Sequence, residues 1–523
     1  MFIDAHSIAK DATLQADICI IGAGAAGITL ALEFIGQPVR VCVLESGGLD
    51  SDERTQSLST GENIGLAYLP LETTRSRQFG GSLAGAGWFC PLDEIDFEKR
   101  KWIPYSGWPF AKSHLDPFYD RAQRILRLGS FMEEAEIRKT DNRPVLPFAS
   151  DNVITKMIRI GPPIHFGKLY QSEIEPAVNI QTYLYANVVR IETNDKAETV
   201  TRLRVACLEG NKFWVSARLY ILAAGGIENA RLLLLSNKTQ QNGLGNQNDL
   251  VGRFFMEHPH FEAGRFIPAD SHIFRTLHRV YNTESTSRIR ALGLADQTLR
   301  REKLLNFSAT FELEPYELAT GATSLKLLME SLRRRKIPDD PLKHLYNVVF
   351  NMNDVAVAAC KELSNKLRRQ PKYLRFYNRL EQSPNPDSRV SLSENRDIFG
   401  RQTVRLDWRI SSEDRSSVRR ATEMMDAELK QAGLGSLKTG FNDGPSWPPS
   451  LTGGHHHMGT TRMHPDAKSG VVNEHCRLHG TLNLFVAGSS VFPTSGCANP
   501  TLTIIALALR LADHVKNLLQ SGV

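Results

Sequence analysis

The first fifty residues alternate between short apolar runs and a helical pattern, in the order strand, helix, strand. Asp17–Ile21 is an apolar run of the kind found in buried parallel strands, and Val39–Leu44 is a second one. Between them, a glycine-rich turn leads into a helical pattern over Ala25–Ile35. This order predicts the start of an α/β domain built on a parallel sheet.

A second group of strand-like runs lies between residues 180 and 225. Two of these runs flank Glu209-Gly210-Asn211, which is a hairpin signal. The last run ends in Ala224-Gly225-Gly226 and leads into a predicted helix over Glu228–Ser236, as expected where the chain returns to the parallel sheet. The predicted strands are Ile180–Leu184, Val188–Glu192, Val200–Cys207, Lys212–Ser216 and Leu219–Ala223.

The pattern changes in character from residue 266 to residue 440. Strand-like runs alternate there with helical patterns near Ser324–Lys336 and Leu345–Gln370, which could pair as a helical hairpin. This block predicts a second domain, inserted between parts of the first. Its strand-like runs are Asn306–Leu313, Arg389–Leu392 and Thr403–Trp408.

The composition is that of a globular enzyme with a large core. Of 523 residues, 41% are hydrophobic and 23% are charged. The formal charge of +6 is small, and basic and acidic residues are mixed, so nucleic-acid binding is not indicated. The basic cluster around Arg333-Arg334-Arg335-Lys336 is either a solvated helix face or a docking patch for an anionic partner or membrane surface.

Cysteine usage and the amino terminus bear on the compartment. The seven cysteines are odd in number and include no CxxC, so they suggest neither a disulfide framework nor a zinc site. Met1–Ala16 has neither an uninterrupted apolar stretch nor a cleavage site, and no run of about 18 apolar residues occurs. We therefore expect a cytoplasmic protein with no transmembrane segment and no bound metal.

The turn after the first strand reads Gly22-Ala23-Gly24-Ala25-Ala26-Gly27, a G-x-G-x-x-G motif in the strand-to-helix context that dinucleotide binding requires. The glycines allow a tight turn, close approach of a pyrophosphate, and close packing of helix on strand. Glu45 ends the second strand, where a carboxylate would accept hydrogen bonds from ribose hydroxyls. The motif alone does not decide between FAD and NAD, and a glycine turn in an unrelated α/β fold is the structural alternative.

The last seventy residues hold three further motifs. H-x-x-G-T begins at His456, an A-G-S turn at Ala487–Ser489 precedes Pro493, and Asn499-Pro500-Thr501 opens a predicted helix. Together with Asp17–Glu45, Gly80–Trp88 and the Ala224–Arg231 turn, these motifs resemble the glucose–methanol–choline (GMC) flavoprotein oxidoreductases. They occur in the family's order from one end of the chain to the other.

Two more segments, Glu381–Val390 and Trp102–Trp108, resemble the branch of that family that handles sugars and sugar acids. That branch includes pyranose oxidases, gluconate and fructose dehydrogenases, and oxidases of glycosides or aminoglycosides. The resemblance implies FAD and two domains: an α/β Rossmann-type FAD-binding domain, and an inserted α+β substrate domain with an antiparallel sheet. We place the first at residues 1–130, 170–265 and 452–523, and the second at 131–169 and 266–451.

The resemblance also implies site residues. His456 matches the family's active-site histidine, and Asn499 matches the second member of that pair. The glycine-rich loop Phe79–Trp88 contains no histidine, whereas several relatives link FAD through one there, so we expect non-covalent FAD. The candidate cofactor-binding residues are Gly22, Gly24, Ala25, Ala26, Gly27, Glu45, Ser46, Arg77, Gly80, Gly81, Val188, Ala224, Gly225, Asn229, Gly488, Ser489, Asn499, Pro500 and Thr501.

The implied reaction is oxidation of a CH–OH group in a sugar, glycoside or polyol-like substrate. A neutral His456 would accept the hydroxyl proton, because imidazole titrates near neutrality, and Asn499 would orient the alcohol oxygen. The electron acceptor would be oxygen, a quinone or a redox protein. Two other classes are an FAD-containing lyase of the same family and a non-catalytic flavoprotein.

Structural readings compete for single residues. His455, His456 and His457 could form a metal tract, although adjacent histidines rarely converge on one ion without other ligands. Asn499 before proline is also a common turn residue. Glu257-His258-Pro259-His260 is interpreted as a structural loop at the domain junction.

Overall fold

A computed structural model gives the fold. It describes residues 1–85, 87–128, 146–161, 164–208, 210–278, 281–282, 287–313, 373–441 and 446–521, with the separate positions 324–325, 328–329, 345, 348 and 444. The predicted helical hairpin and the basic cluster at 333–336 lie outside the described residues, apart from those isolated positions.

The described part of the chain forms 22 strands. They are β1 (Phe2–Asp4), β2 (Thr13–Ile21), β3 (Val41–Leu44), β4 (Gly61–Asn63), β5 (Ala84–Gly85), β6 (Trp88–Phe89), β7 (Val153–Ile160), β8 (Ile164–His165), β9 (Ile180–Leu184), β10 (Asn187–Thr193), β11 (Val200–Ala206), β12 (Lys212–Leu222), β13 (Pro259–Pro268), β14 (Tyr281–Asn282), β15 (Ser287–Leu294), β16 (Phe307–Glu312), β17 (Leu374–Leu380), β18 (Arg389–Arg396), β19 (Gln402–Asp407), β20 (Gly435–Thr439), β21 (Thr452–Gly453) and β22 (Leu484–Val486).

The same ranges contain ten α-helices with stated bounds, and short 3-10 turns such as Ser489–Val491. The helices are α1 (Ala25–Glu33), α2 (Glu53–Gln56), α3 (Glu94–Phe97), α4 (Asp116–Ile125), α5 (Phe166–Ile174), α6 (Gly225–Leu235), α7 (Ser271–His278), α8 (Asp296–Glu302), α9 (Ser412–Gln431) and α10 (Thr501–Gln520).

The first sheet has the order β1-β9-β3-β2-β12-β11-β10, with β22 also paired to β12. Its central strands are parallel, and β10, β11 and β12 are antiparallel neighbours. α1 and α10 pack together beside it. The predicted β-α-β start and the α/β domain class are confirmed.

Strand β12 differs from the sequence analysis, which predicted two runs separated at Ala217 and Arg218. The structure has one strand over Lys212–Leu222, because Ala217 continues the parallel pairing with Ala16 on β2. Strand β2 itself begins at Thr13 rather than Asp17, since Trp214 pairs with Thr13. Pairing with a neighbour therefore lengthens both strands beyond their apolar cores.

The second sheet is antiparallel, with the order β20-β13-β17-β16-β15-β7-β6 and with β14 and β21 at its margins. One face is apolar and packs Phe261, Phe307 and Phe376 in a core with Val418 and Met425 of α9. Helix α9 was not predicted. The predicted antiparallel sheet of the second domain is confirmed.

The predicted domain boundaries stay a prediction. Strand β13 runs across the proposed boundary between residues 265 and 266, and β6 pairs with β7 of the second sheet. Two smaller sheets, β18-β19-β4 and β5-β8, complete the strands. Among the described residues, no helix is both long enough and apolar enough to cross a bilayer.

Candidate FAD and substrate site

A cavity of about 490 Å³ opens where β2, β3 and β12 end and α10 begins. In an open parallel sheet, ligands bind at this edge, outside the carboxyl ends of the strands. His456 also lies in its wall. The predicted cofactor-binding residues that line it are Gly22, Gly24, Ala25, Ala26, Glu45, Ser46, Arg77, Gly81, Val188, Ala224, Gly225, Gly488, Ser489, Pro500 and Thr501.

The glycine turn between β2 and α1 has no room for a side chain at Gly22 or at Gly27. A Cβ on Gly22 would lie 2.7 Å from the carbonyl oxygen of Ala223, and one on Gly27 would lie 1.9 Å from that of Gly22. Gly24 is the N-cap of α1, and no side-chain hydrogen bond caps that helix. The first amides of α1 are thus left for a ligand, and such amides bind phosphate.

The glycine-rich loop that begins at Phe79 packs directly on this turn. The Gly80 amide donates to the carbonyl oxygen of Ala23 over 2.8 Å, and a Cβ on Gly81 would lie 2.9 Å from Gly24 Cα. Gly27 and Gly80 therefore shape the turn from behind and are not part of the cavity wall. The turn and the loop together form a backbone-lined cradle.

Glu45 lies at the end of β3, as predicted. Its carboxylate accepts hydrogen bonds from the amides of Ala23 and Gly47, at 2.8 and 2.9 Å. Burial raises the pKa of Glu45 to about 7, against the lowering effect of these amides. The side chain is therefore fixed at the cavity edge before any ribose binds.

A cluster of buried charges, missed by the sequence analysis, lies in the same wall. Glu228 accepts from Arg75 at 2.9 Å, forms an ion pair with Arg77 at 3.0 Å and lies 3.4 Å from Arg231. Burial alone would raise the pKa of Glu228, but the three arginines hold it well below its usual range. Arg77 also donates to Ser46 over 2.9 Å, so both predicted residues belong to this cluster.

Asn229 is fully buried, and its side-chain amide makes hydrogen bonds to two other turns of the protein. It accepts from the Ala224 amide over 2.9 Å and donates to Ala487 and Ser490 over 3.2 and 3.0 Å. Asn229 therefore ties the Ala224 turn to the Ala487–Ser489 turn, and both turns line the cavity.

His456 is half-buried at one side of the cavity. Its Nδ1 lies 2.9 Å from Nδ1 of His258, while its backbone amide donates to Glu257 over 2.9 and 3.0 Å. Within the described part of the chain, its Nε2 has no hydrogen-bond partner. Burial and the neighbouring histidines hold the pKa of His456 well below its usual value, so the imidazole is neutral at pH 7.

The three adjacent histidines point to different partners. His455 is exposed, with a left-handed φ of 60°, and His457 Nε2 contacts the Tyr68 hydroxyl at 3.0 Å. Tyr68 also donates to Glu257. Because the three imidazoles have different surroundings, they do not converge on one position as the ligands of a single metal ion would.

Asn499 is half-buried in the loop that precedes α10, and the described contacts include none between Asn499 and His456. The two segments meet at His258 instead, since His258 Nε2 lies 3.4 Å from the carbonyl oxygen of Ser495. His258, treated above as structural, therefore connects both predicted catalytic segments.

The polar face of the second sheet lies beside His456. Register places His260, Arg379 and Ser308 side by side on this face. The His260 ring lies 5.9 Å from that of His456, and the Arg379 guanidinium stacks 3.5 Å above Trp88. The face thus presents aromatic rings and hydrogen-bonding groups next to His456.

The fold and this site define the chain as a dinucleotide-dependent oxidoreductase. Residues 384–508 match the family model described as GMC oxidoreductase. This match places the carboxyl-terminal part of the chain among the GMC oxidoreductases, a family of FAD-dependent enzymes.

Relatives and solved structures agree with that assignment. The chain is 24% identical to 6'''-hydroxyparomomycin C oxidase of Streptomyces lividus, over 95% of this chain and 92% of that one. It is 23% identical to 2-methyl-1,2-propanediol dehydrogenase of Mycolicibacterium austroafricanum, over 96% and 95%. It is 26% identical to the fructose dehydrogenase large subunit of Gluconobacter japonicus, over 59% and 49%.

The same fold occurs in pyridoxine 4-oxidase from Mesorbium loti, with a TM-score of 0.55, 17% identity and coverage of 96% of this chain and 99% of that one. It also occurs in Aspergillus oryzae formate oxidase, with a TM-score of 0.54, 15% identity and coverage of 98% and 99%.

Proposed function

We propose that the protein oxidises a CH–OH group of a sugar, glycoside or polyol-like substrate to a carbonyl. The observation that carries this proposal is His456, which lines the cavity with Nδ1 held by His258 and with Nε2 lacking a hydrogen-bond partner among the described residues. Bound FAD supplies the hydride acceptor. The O–H proton of the substrate goes to His456, and its C–H hydrogen leaves with the electron pair.

His456 suits the role of base because it is neutral and already held in place. An imidazole with a lowered pKa stays unprotonated at neutral pH, so one of its two ring nitrogens keeps a free electron pair. Glu257 holds the backbone that leads into this residue by accepting the amides of Gly454 and His456, at 2.9 to 3.0 Å.

Asn499 supplies the second group of the proposal. Its amide cannot titrate at working pH, so it acts by donating a hydrogen bond to the alcohol oxygen as negative charge develops. Asn499 itself is not in the cavity wall, but the next two residues, Pro500 and Thr501, are, and its loop contacts His258 through the Ser495 carbonyl oxygen at 3.4 Å.

The polar face of the second sheet supports a hydroxyl-rich substrate. His260 Nε2 is buried without a described hydrogen-bond partner, which is unfavourable unless a ligand supplies one. Arg379 donates to Thr310 over 3.2 Å and stacks on Trp88, and arginine and tryptophan are residues that bind sugar hydroxyls and rings. The names of the relatives, an aminoglycoside oxidase and a fructose dehydrogenase, point to the same class.

FAD binding in the proposal is non-covalent. The pyrophosphate would meet the amides at the start of α1, the ribose would meet Glu45, and the start of α10 at Thr501 would face the flavin. Protein precipitated in acid should release its flavin to the supernatant, and flavin retained on the pellet would refute this part.

The test of the proposal is anaerobic bleaching of the flavin by a panel of sugars, glycosides and polyols. With a substrate found, His456→Ala should slow flavin reduction by at least ~10²-fold. His272→Ala is the control, because this histidine is exposed on α7 and is not in the cavity wall, and it should reduce flavin at the normal rate. An unchanged rate in His456→Ala, or turnover without bleaching, would overturn the proposal. Comparing oxygen consumption with quinone or dye reduction would then identify the electron acceptor.

A further inference from the structure

His258 is the residue on which both predicted catalytic segments converge. It is fully buried, precedes β13, and faces His456 through Nδ1 and the Ser495–Gly496 backbone through Nε2. Its own backbone amide donates to Glu257 over 3.0 Å, the carboxylate that also accepts the His456 amide. The two imidazoles are therefore held at a fixed separation by one shared backbone anchor.

The surroundings of these rings determine which nitrogen carries each proton. A carbonyl oxygen only accepts hydrogen bonds, so the Nε2 of His258 that faces Ser495 carries its proton. A neutral imidazole has one proton, which leaves Nδ1 of His258 as an acceptor. The 2.9 Å contact between the two Nδ1 atoms then requires the proton on His456 Nδ1.

We infer that His258 is a positioning residue that fixes His456 as the Nδ1–H tautomer, so that its Nε2 presents a free electron pair to the substrate. This inference rests on the proposed function of His456 as the base. The opposite tautomer would place two lone pairs against each other at 2.9 Å and would aim an N–H at the alcohol.

The packing leaves little freedom for another arrangement. A Cβ on Gly454 would lie 2.7 Å from His456 Nδ1 and 3.0 Å from His260 Nε2, so these rings are close to backbone on that side. The His258 and His456 ring planes are inclined at 74°, with centroids 5.0 Å apart. Edge contact through nitrogen, rather than stacking, holds the pair together.

The first experiment reads the protons directly. Neutron diffraction from perdeuterated holoenzyme crystals should show deuterium on His456 Nδ1 and on His258 Nε2. Deuterium on His456 Nε2 in place of Nδ1 would overturn the inference, whatever substrate the enzyme has. This readout is independent of activity, so it separates failure of the inference from failure of the proposed function.

The second experiment uses two variants of His258 and follows flavin reduction by stopped flow. His258→Asn keeps an oxygen acceptor near His456 Nδ1, whereas His258→Leu keeps the bulk and removes the acceptor. We expect His258→Leu to lower the rate of flavin reduction by about 10²-fold, with little change in substrate dissociation constant, and His258→Asn to restore most of the rate.

Flavin content and the thermal unfolding midpoint check that both variants are folded. Equal rates in the Leu and Asn variants, whether both slow or both normal, would contradict a positioning role. If no compound bleaches the wild-type flavin, the proposed function fails, and the neutron result still decides the tautomer.

Discussion

The buried ion pair between Arg100 and Glu381 should contribute strongly to the stability of the fold. Both side chains are 0% exposed, and the contact is bidentate, with Arg100 Nη1 2.8 Å from Glu381 Oε2. The same Oε2 accepts the amide of Asn306 at 2.9 Å. Glu381 directly follows β17, so the pair joins the segment after α3 to the second sheet.

Glu381→Ala would leave the Arg100 guanidinium buried without its counter-ion. Removing one partner of such a pair typically costs about 3–5 kcal/mol. Replacing both partners with apolar residues of similar volume, Arg100→Met with Glu381→Leu, should cost less than Glu381→Ala, because neither charge then has to be buried and the remaining loss is the acceptor of the Asn306 backbone amide.

Asp96 makes the expected loss depend on pH. It is fully buried, and burial, Asp93 and Glu381 raise its pKa to about 8. Without Glu381, the pKa of Asp96 falls, and an ionised Asp96 partly compensates Arg100. Because Asp96 is protonated in acid and ionised in base, the destabilisation by Glu381→Ala should be largest at pH 6 and smaller at pH 9.

The assay is urea unfolding followed by circular dichroism, at fixed protein and FAD concentrations because the cofactor itself stabilises the fold. In a protein that already carries Asp96→Asn, adding Glu381→Ala should lower the free energy of unfolding by the same full amount at pH 6 and at pH 9. A loss below about 1 kcal/mol for Glu381→Ala at pH 6 would place the pair among weak surface contacts and refute the reasoning.

Two more outcomes follow from the cradle and from Glu257. Gly27→Ala should release most of the flavin and destabilise the protein by about 4 kcal/mol or more, because the new Cβ would lie 1.9 Å from a carbonyl oxygen. Gly440→Ala is the control, because the nearest atom to its new Cβ would be 3.5 Å away. Normal flavin absorbance in Gly27→Ala would contradict the packing argument. Burial raises the pKa of Glu257 to about 7 from 4.5, so the folded state binds one more proton than the unfolded state in this range, and the unfolding free energy falls by up to about 3 kcal/mol as pH rises from 4.5 to 7. Glu257→Gln should lack this contribution when urea unfolding midpoints are measured against pH. The same pH dependence in the variant and the wild type would show that another group titrates.

Local motifs predicted the parts of the site that are continuous in sequence. The glycine turn and Glu45 lie where the β-α-β pattern indicated, because turn, helix start and strand end are set within thirty residues. His456 and the Pro500–Thr501 helix start also line the cavity, although the catalytic roles of His456 and Asn499 stay predictions.

The parts that the sequence analysis missed depend on residues far apart in the chain. Tyr68 is 189 residues from Glu257, and His258 is 198 residues from His456. A histidine between glutamate and proline looks like a junction loop until the fold places it against His456. Helix α9 was also missed, although its start is local in sequence: the capping box formed by Ser411 and Asp414 is visible there.

The separation of these residues has a mechanistic consequence. The proposed base, His456, belongs to the segment before α10, whereas Glu257 and His258 directly precede β13 of the second sheet. Three backbone amides, those of His258, Gly454 and His456, converge on the one Glu257 carboxylate. A displacement of β13 away from the segment that carries His456 would break these hydrogen bonds together with the contact between the imidazoles, so the proposed base would be in place only when β13 lies against that segment.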